Sequence, residues 1–127
     1  MKIVVGHLFP DYLNIYADRG NIAVLTQRAS WRGHELEVRA LGAGDEVRPG
    51  EHDLFYVGGG QDREQELIAP ALAALGPALR EAVGRGAAAL AVCGGYQLFA
   101  ASTATGAATS CRARGCCRCT LSPVSAE

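Results

Sequence analysis

The stretch AVCGGYQ, residues 91–97, follows an apolar run and precedes a segment that can begin a helix. A cysteine followed by two glycines at a strand-to-helix junction is typical of a nucleophile elbow, because glycines lack the Cβ atoms that would clash in so tight a turn. The thiol of Cys93 would project from this turn at a helix N-terminus, which favours the thiolate. The alternative is a buried structural cysteine beside a Gly-Gly loop.

A second glycine turn, residues 58–60, follows another apolar strand upstream. When a nucleophile attacks a carbonyl, negative charge develops on oxygen, and backbone amides of Gly59 or Gly60 and of Gly94 can donate to it. Such a donor contributes roughly 3–4 kcal/mol of transition-state stabilisation. A loose turn or a phosphate-binding loop is the alternative, but neither G-x-G-x-x-G nor G-K-[ST] accompanies the glycines.

The apolar segments alternate between strand and helix patterns along the chain. Strands are predicted at residues 2–6, 35–41, 53–57 and 87–92, the second of them half-buried and edge-like. Helices are predicted from Asp18 or Asn21 to Gly33, from Asp62 to about Gly86, and from Gly95 onward. In the middle helix, Pro70 and Pro77 suggest a kink or two short helices. This order predicts an α/β domain with a doubly wound, mainly parallel sheet whose site lies at the carboxyl ends of the strands.

A cysteine nucleophile needs a base that takes its proton and returns it to the leaving group. The sequence has three histidines. His7 ends the first strand at the predicted site edge and is a weak candidate; with it, the chain would be a thiol-peptidase-like hydrolase. His34 and His52 precede their strands and should lie at the opposite edge, with His52 a solvated loop residue. The expected partner of Cys93 is therefore missing.

Composition limits the classes of partner. The 127 residues carry a net charge of −1, with 49% hydrophobic and 20% charged residues, which fits one globular domain and excludes general disorder. Nothing in this balance argues for a nucleic acid or an anionic membrane. The apolar run at the N-terminus is too short for a signal peptide or a membrane span, which predicts a cytoplasmic protein without membrane insertion.

Three motifs carry a resemblance to a known family. They are YLNIYADRGN at residues 12–21, VGGGQDREQ at 57–65 and AVCGGYQLF at 91–99. In this order they resemble the class I glutamine amidotransferases of the CobB/CobQ-like branch, and within it the glutaminase subunits of lipid II isoglutaminyl synthases. The resemblance implies that Cys93 is the nucleophile, that Gly59, Gly60 and Gly94 form the oxyanion hole, and that Gln97 contributes to substrate binding.

Several further residues of these motifs have two readings. Gln97 can serve the substrate or bond its own loop, and Tyr96 can be a packed aromatic residue. Asp18, Arg19 and Asn21 can lie near the site, or they can be helix-cap and salt-bridge residues. The sequence alone leaves these alternatives open.

The resemblance also implies an activity and a partner. The chain would hydrolyse glutamine through a cysteine thioester and pass ammonia to a Mur-ligase-like synthetase subunit in a heterodimer, which amidates D-glutamate of lipid II. ATP and metal would belong to that partner, and this chain would need no cofactor. A component of corrinoid amidation and a non-catalytic binding module with the same fold are the alternatives.

Residues 101–127 differ from the rest of the chain. They contain four of the five cysteines (Cys111, Cys116, Cys117 and Cys119) in the spacing C-x4-C-C-x-C with no histidine nearby, which argues against zinc. The family's catalytic histidine and glutamine-binding arginine are not found there. Read in another frame, the codons can encode a globular continuation. We therefore expect a family domain at residues 1–100, truncated by a frameshift after Phe99, then an out-of-frame, disordered tail, and no activity in the chain as written.

Overall fold

The computed structural model describes residues 1–15 and 18–103. Strands and helices follow one another in the predicted order, with boundaries that differ by at most three residues. The elements are β1 (Lys2–Leu8), α1 (Asp18–Ser30), β2 (Glu35–Leu41), β3 (Leu54–Val57), α2 (Asp62–Gly84), β4 (Ala88–Ala91) and α3 (Gly94–Thr103). The predicted α/β class is confirmed.

The four strands form one parallel sheet in the order β2-β1-β3-β4. Strand β2 lies at an edge, as its alternating sequence predicted. The chain runs outward from β1 to β2 and then returns to the other side of β1, so the strand order reverses between β1 and β3. In open parallel sheets, ligands bind beyond the carboxyl ends of the strands at such a reversal. The glycine turn (residues 58–60) follows β3 at this place.

Helices flank both faces of the sheet, because side chains along a strand alternate between the faces. Phe55 and Val57 of β3 belong to a core cluster with Ile68 and Leu72 of α2. Between them, Tyr56 points to the opposite face, where Asn21 of α1 donates a hydrogen bond to its hydroxyl. The helices therefore hold β3 from both sides, and its carboxyl end is well fixed.

Helix α2 is one continuous helix of 23 residues. The expectation of two short helices is wrong. Pro70 and Pro77 each remove a backbone donor, but the helix remains continuous because Ile68, Leu72 and Leu79 of one face are almost fully buried in the core. By length and composition alone α2 could also cross a membrane; in this structure one of its faces packs in the core.

Strand β4 is the other edge of the sheet among the described residues. It pairs with β3 on one side, and three of its four residues are exposed. Leu90 of β4 is 42% exposed, and Val24 of α1 is 56% exposed. Both side chains belong to an exposed apolar surface beside the fourth strand in this part of the chain.

Candidate active site

Cys93 lies between the end of β4 and the first residue of α3, and its side chain is exposed. Its backbone has a φ of +53°, a left-handed conformation that costs a non-glycine residue roughly 1–2 kcal/mol. Such strain persists where the surrounding structure imposes it, and it is characteristic of nucleophile elbows. The geometry is that of an elbow with an accessible thiol, and the alternative of a buried structural cysteine is wrong.

The two glycines after Cys93 pack directly on the glycine turn. A Cβ added at Gly94 would overlap the side-chain amide of Gln65 and lie 3.1 Å from the carbonyl oxygen of Gly60. A Cβ at Gly95 would overlap the carbonyl oxygen of Gly58. Only glycine permits this approach. The structure thus brings together the two turns that the sequence singled out separately.

The backbone amides of Gly60 and Gly94, on the two facing turns, have no acceptor among the described residues. Gly59 differs, because its N–H donates to Oδ1 of Asp18 over 3.4 Å. On the other side of the turn, the side-chain amide of Gln65 donates to the carbonyl oxygen of Gly60 over 2.8 Å. This bond holds Gly60 to the first turn of α2.

A polar group that is buried except for the exposed Asn21, which we call the Asp18 cluster, lies on the α1 side of the glycine turn. Its members are Asp18, Asn21, Tyr56 and His7. The hydroxyl of Tyr56 donates to Asp18 Oδ1 over 2.7 Å and accepts a hydrogen bond of 2.9 Å from Asn21. Burial and the Asp18 carboxylate together raise the pKa of Tyr56 to about 12. The hydroxyl therefore stays protonated, and remains a donor, at physiological pH.

His7 is part of this cluster and not of the elbow. Its ring meets that of Tyr56 edge-on at 5.2 Å, and only 6% of the residue is exposed. Burial lowers its pKa, an effect that the nearby Asp18 carboxylate opposes only in part. No hydrogen bond joins His7 to Cys93 within the described residues. The thiol-peptidase alternative, in which His7 is the base, gains no support from this placement.

The other two histidines lie at the amino ends of β2 and β3, as predicted. The expectation that His52 is a solvated loop residue is wrong, since it is only 5% exposed and packs against Phe55 at a ring distance of 5.4 Å. The reason is the absence of a side chain at Gly6: a Cβ there would lie 3.1 Å from the His52 ring. Burial lowers the pKa of His52.

The remaining residues named from the motifs lie on two helices near the site. Gln97 is exposed on the first turns of α3, and Arg19 is exposed at the start of α1. Tyr96 is 40% exposed, so it is only partly packed. Asp18 is fully buried. The described residues contain no group of three or more potential metal ligands.

Two residues of the site were not assigned from the sequence, Tyr56 and Gln65. In the sequence, Tyr56 is one of several apolar residues of a buried strand. Its pairing with His7 and its hydrogen bond with Asn21 show that it faces α1. Gln65 carried a weak signal, because a glutamine in the first turn of a helix can reach back to the preceding loop. Both interactions depend on side-chain direction, which the motif spacing does not specify.

Comparison with known proteins identifies the family. Residues 4–116 match the CobB/CobQ-like glutamine amidotransferase domain. The chain belongs to this family. The elbow and the glycine turn that its fold brings together lie within the matched residues.

Two curated relatives of the family are similar over 98 residues. The chain is 38% identical to the GatD subunit of the glutamine-hydrolysing lipid II isoglutaminyl synthase of Staphylococcus aureus, over 77% of its own length and 40% of that protein. It is 34% identical to the GatD subunit of Streptococcus pneumoniae, over 77% of its own length and 38% of that protein. The chain thus spans about two fifths of the length of these relatives.

The predictions for residues 101–127 concern the frameshift, the disordered tail and the four cysteines. They fall almost entirely outside the described residues, which end at Thr103. They remain predictions.

Proposed function

We propose that this chain is the nucleophile-bearing part of a glutaminase that releases ammonia from glutamine for lipid II amidation. The observation that carries the proposal is the left-handed, exposed Cys93 held against the glycine turn. Family membership and the two GatD relatives support the substrate and the acceptor.

In the proposed reaction, the thiolate of Cys93 attacks the side-chain carbonyl carbon of glutamine and forms a C–S bond. The carbonyl electron pair moves to oxygen, and the N–H groups of Gly60 and Gly94 donate hydrogen bonds to the resulting oxyanion. Gly59 completes the turn that carries Gly60. Collapse of this intermediate breaks the C–N bond, and the leaving nitrogen takes a proton to depart as ammonia. Water then hydrolyses the γ-glutamyl thioester, which yields glutamate and returns the thiol.

The proton transfers need a base that the described residues do not place at Cys93. We therefore propose that the chain as written forms the acyl-enzyme from activated donors but turns over glutamine negligibly. Purified protein should release no ammonia from glutamine above the background of Cys93→Ala. A rate that disappears in this variant would contradict the proposal.

The names of the two relatives, subunits of lipid II isoglutaminyl synthases, support an acceptor in lipid II and a partner subunit. A Mur-ligase-like synthetase subunit would form a heterodimer with this protein, bind ATP and metal, and amidate D-glutamate of lipid II in the cytoplasm. Gln97, exposed on the helix that begins at the elbow, would contribute to glutamine binding. No cofactor is proposed for this chain. Copurification with a Mur-like ligase, rather than with a corrinoid-amidating enzyme, would distinguish the two acceptor classes.

The proposal can be tested with the γ-p-nitroanilide of L-glutamate. Its p-nitroaniline leaving group depends less on a general acid than ammonia does. At alkaline pH, wild-type protein should acquire one γ-glutamyl group on Cys93, detected by intact mass and peptide mapping. Cys93→Ala should acquire none, and the D-enantiomer should react much more slowly. Equal labelling by both enantiomers, or no labelling, would overturn the proposal.

A further inference from the structure

The Asp18 carboxyl group lies against the backbone of the glycine turn. Asp18 is 0% exposed, and a Cβ added at Gly58 would be 2.6 Å from its Cγ atom. Its Oδ1 accepts from the N–H of Gly59 over 3.4 Å and from the hydroxyl of Tyr56 over 2.7 Å. The carboxyl group therefore touches two successive peptide units of the turn.

The Asp18 cluster orients this carboxyl group. Tyr56 is held by β3 and by the hydrogen bond from Asn21, one turn further along α1. The donor to Asp18 thus comes from the strand that ends in the glycine turn. As a result, α1, β3 and the turn are connected through a single oxygen atom, Oδ1 of Asp18.

Capping of α1 alone does not account for this arrangement. An acidic residue in the first turn of a helix interacts favourably with the helix dipole while exposed to solvent. Burying a carboxylate instead costs several kcal/mol unless hydrogen bonds offset the loss of water. Here the donors are neutral, and Oδ2 has no partner among the described residues.

We propose that Asp18 is a positioning residue that engages the N–H of Gly59 and so turns the N–H of Gly60, together with that of Gly94, toward the oxyanion. This inference rests on the proposed function. It assigns the donor role in the turn to Gly60, because the amide of Gly59 is already engaged. Asp18 itself does not contact the substrate.

The experiment compares two reactions of the same thiol in the full chain. Acylation of Cys93 by the γ-p-nitroanilide of L-glutamate passes through an oxyanion, whereas alkylation by iodoacetamide does not. Asp18→Ala should slow acylation at least tenfold, a fraction of the effect of losing a complete oxyanion donor, while its alkylation rate stays within twofold of wild type. Asp18→Asn, which keeps an oxygen acceptor, should recover most of the acylation rate. Tyr56→Phe should also slow acylation, by less than Asp18→Ala does, and should leave the alkylation rate unchanged.

Asp62→Ala is the matched control, because Asp62 is also an acidic residue in the first turn of a helix but is exposed. Both of its rates should equal those of wild type. If Asp18→Ala loses acylation and alkylation equally, or loses neither, the inference is overturned while the proposed function stands. If wild-type Cys93 is not acylated at all, the proposed function fails, and the inference with it.

A second measurement covers the case in which Asp18→Ala does not fold. The amide proton of Gly59 in wild-type protein should resonate downfield, and Asp18→Asn should shift it by more than the amide protons of residues outside the glycine turn. An unchanged Gly59 resonance in a folded Asp18→Asn variant would overturn the inference independently of any reaction.

Discussion

Cys93 combines an exposed thiol with a left-handed backbone conformation, which is strained for residues that carry a Cβ atom. The neighbouring contacts impose this conformation, because Gly94 and Gly95 lock the start of α3 onto the glycine turn. At the scale of single residues, strain at Cys93 and the close packing of Gly95 are separate properties. Each can be measured by its own substitution.

Strain at Cys93 predicts an unusual order of stabilities. Cys93→Gly should be more stable than Cys93→Ala by about 1 kcal/mol, because glycine adopts a positive φ without the steric cost that alanine retains. Urea unfolding of both variants gives the difference. At a position of ordinary φ the order would be reversed, so an alanine variant of equal or greater stability would show that the elbow is unstrained.

The packing of Gly95 predicts a loss of stability. In Gly95→Ala, the added methyl group would meet the carbonyl oxygens of Gly58 and Val57, which belong to the backbone and cannot rotate away. We expect a loss of about 2–3 kcal/mol in the free energy of unfolding. Gly84→Ala is the matched control, since a Cβ there meets nothing within 4 Å. The control should be neutral or slightly stabilising, and equal effects in both variants would contradict the packing.

At the scale of elements, α2 keeps two prolines inside 23 helical residues. From local chemistry the sequence predicted a kink or two short helices, and the buried face of α2 keeps it as one helix. Ile68, Leu72 and Leu79 lie on that face and pack in the core, whereas Pro70 and Pro77 are exposed. Burial of apolar side chains contributes more than the hydrogen bonds that the prolines remove.

This balance predicts that the prolines are a weakness of α2. Pro77→Ala should stabilise the protein by about 1–3 kcal/mol, because alanine restores a backbone donor and removes a clash with the preceding turn. Thermal unfolding followed by circular dichroism measures the change. Ala74→Pro, at another exposed position of α2, should destabilise by a similar amount or more. A destabilised Pro77→Ala variant would show that the helix is not continuous at this position.

At the scale of the whole molecule, the two buried histidines couple folding to pH. Burial lowers the pKa of His7 and His52 from 6.5, so the unfolded chain binds more protons than the folded one around and below that pH. Stability is therefore greatest above pH 6.5 and falls as the pH drops below it. Each histidine contributes up to about 1.4 kcal/mol per pH unit.

Urea unfolding at pH 7.5 and pH 5.5 tests this dependence. Stability should be lower at pH 5.5, and His52→Leu should make the difference smaller. Glu37 does not contribute in this window, because its salt bridges with Lys2 and Arg39 lower its pKa to about 2. Equal stability at the two pH values would show that both rings remain accessible to protons in the folded protein.

The frameshift expected after Phe99 also belongs to the whole molecule, and it stays a prediction. Sequencing of the gene around codon 100 should reveal a reading frame that continues the family's sequence. An intact frame that encodes the same residues 101–127 in related strains would contradict it.

The sequence by itself determined the α/β order, the edge position of β2 and the two glycine turns, because periodicity and turn chemistry are local properties. The tertiary structure decided which residues meet. It buried His52 against Gly6, kept α2 whole across its prolines, and directed Tyr56 to Asp18 beneath the turn. These outcomes depend on burial and side-chain direction between segments far apart in the chain, and no local pattern records them.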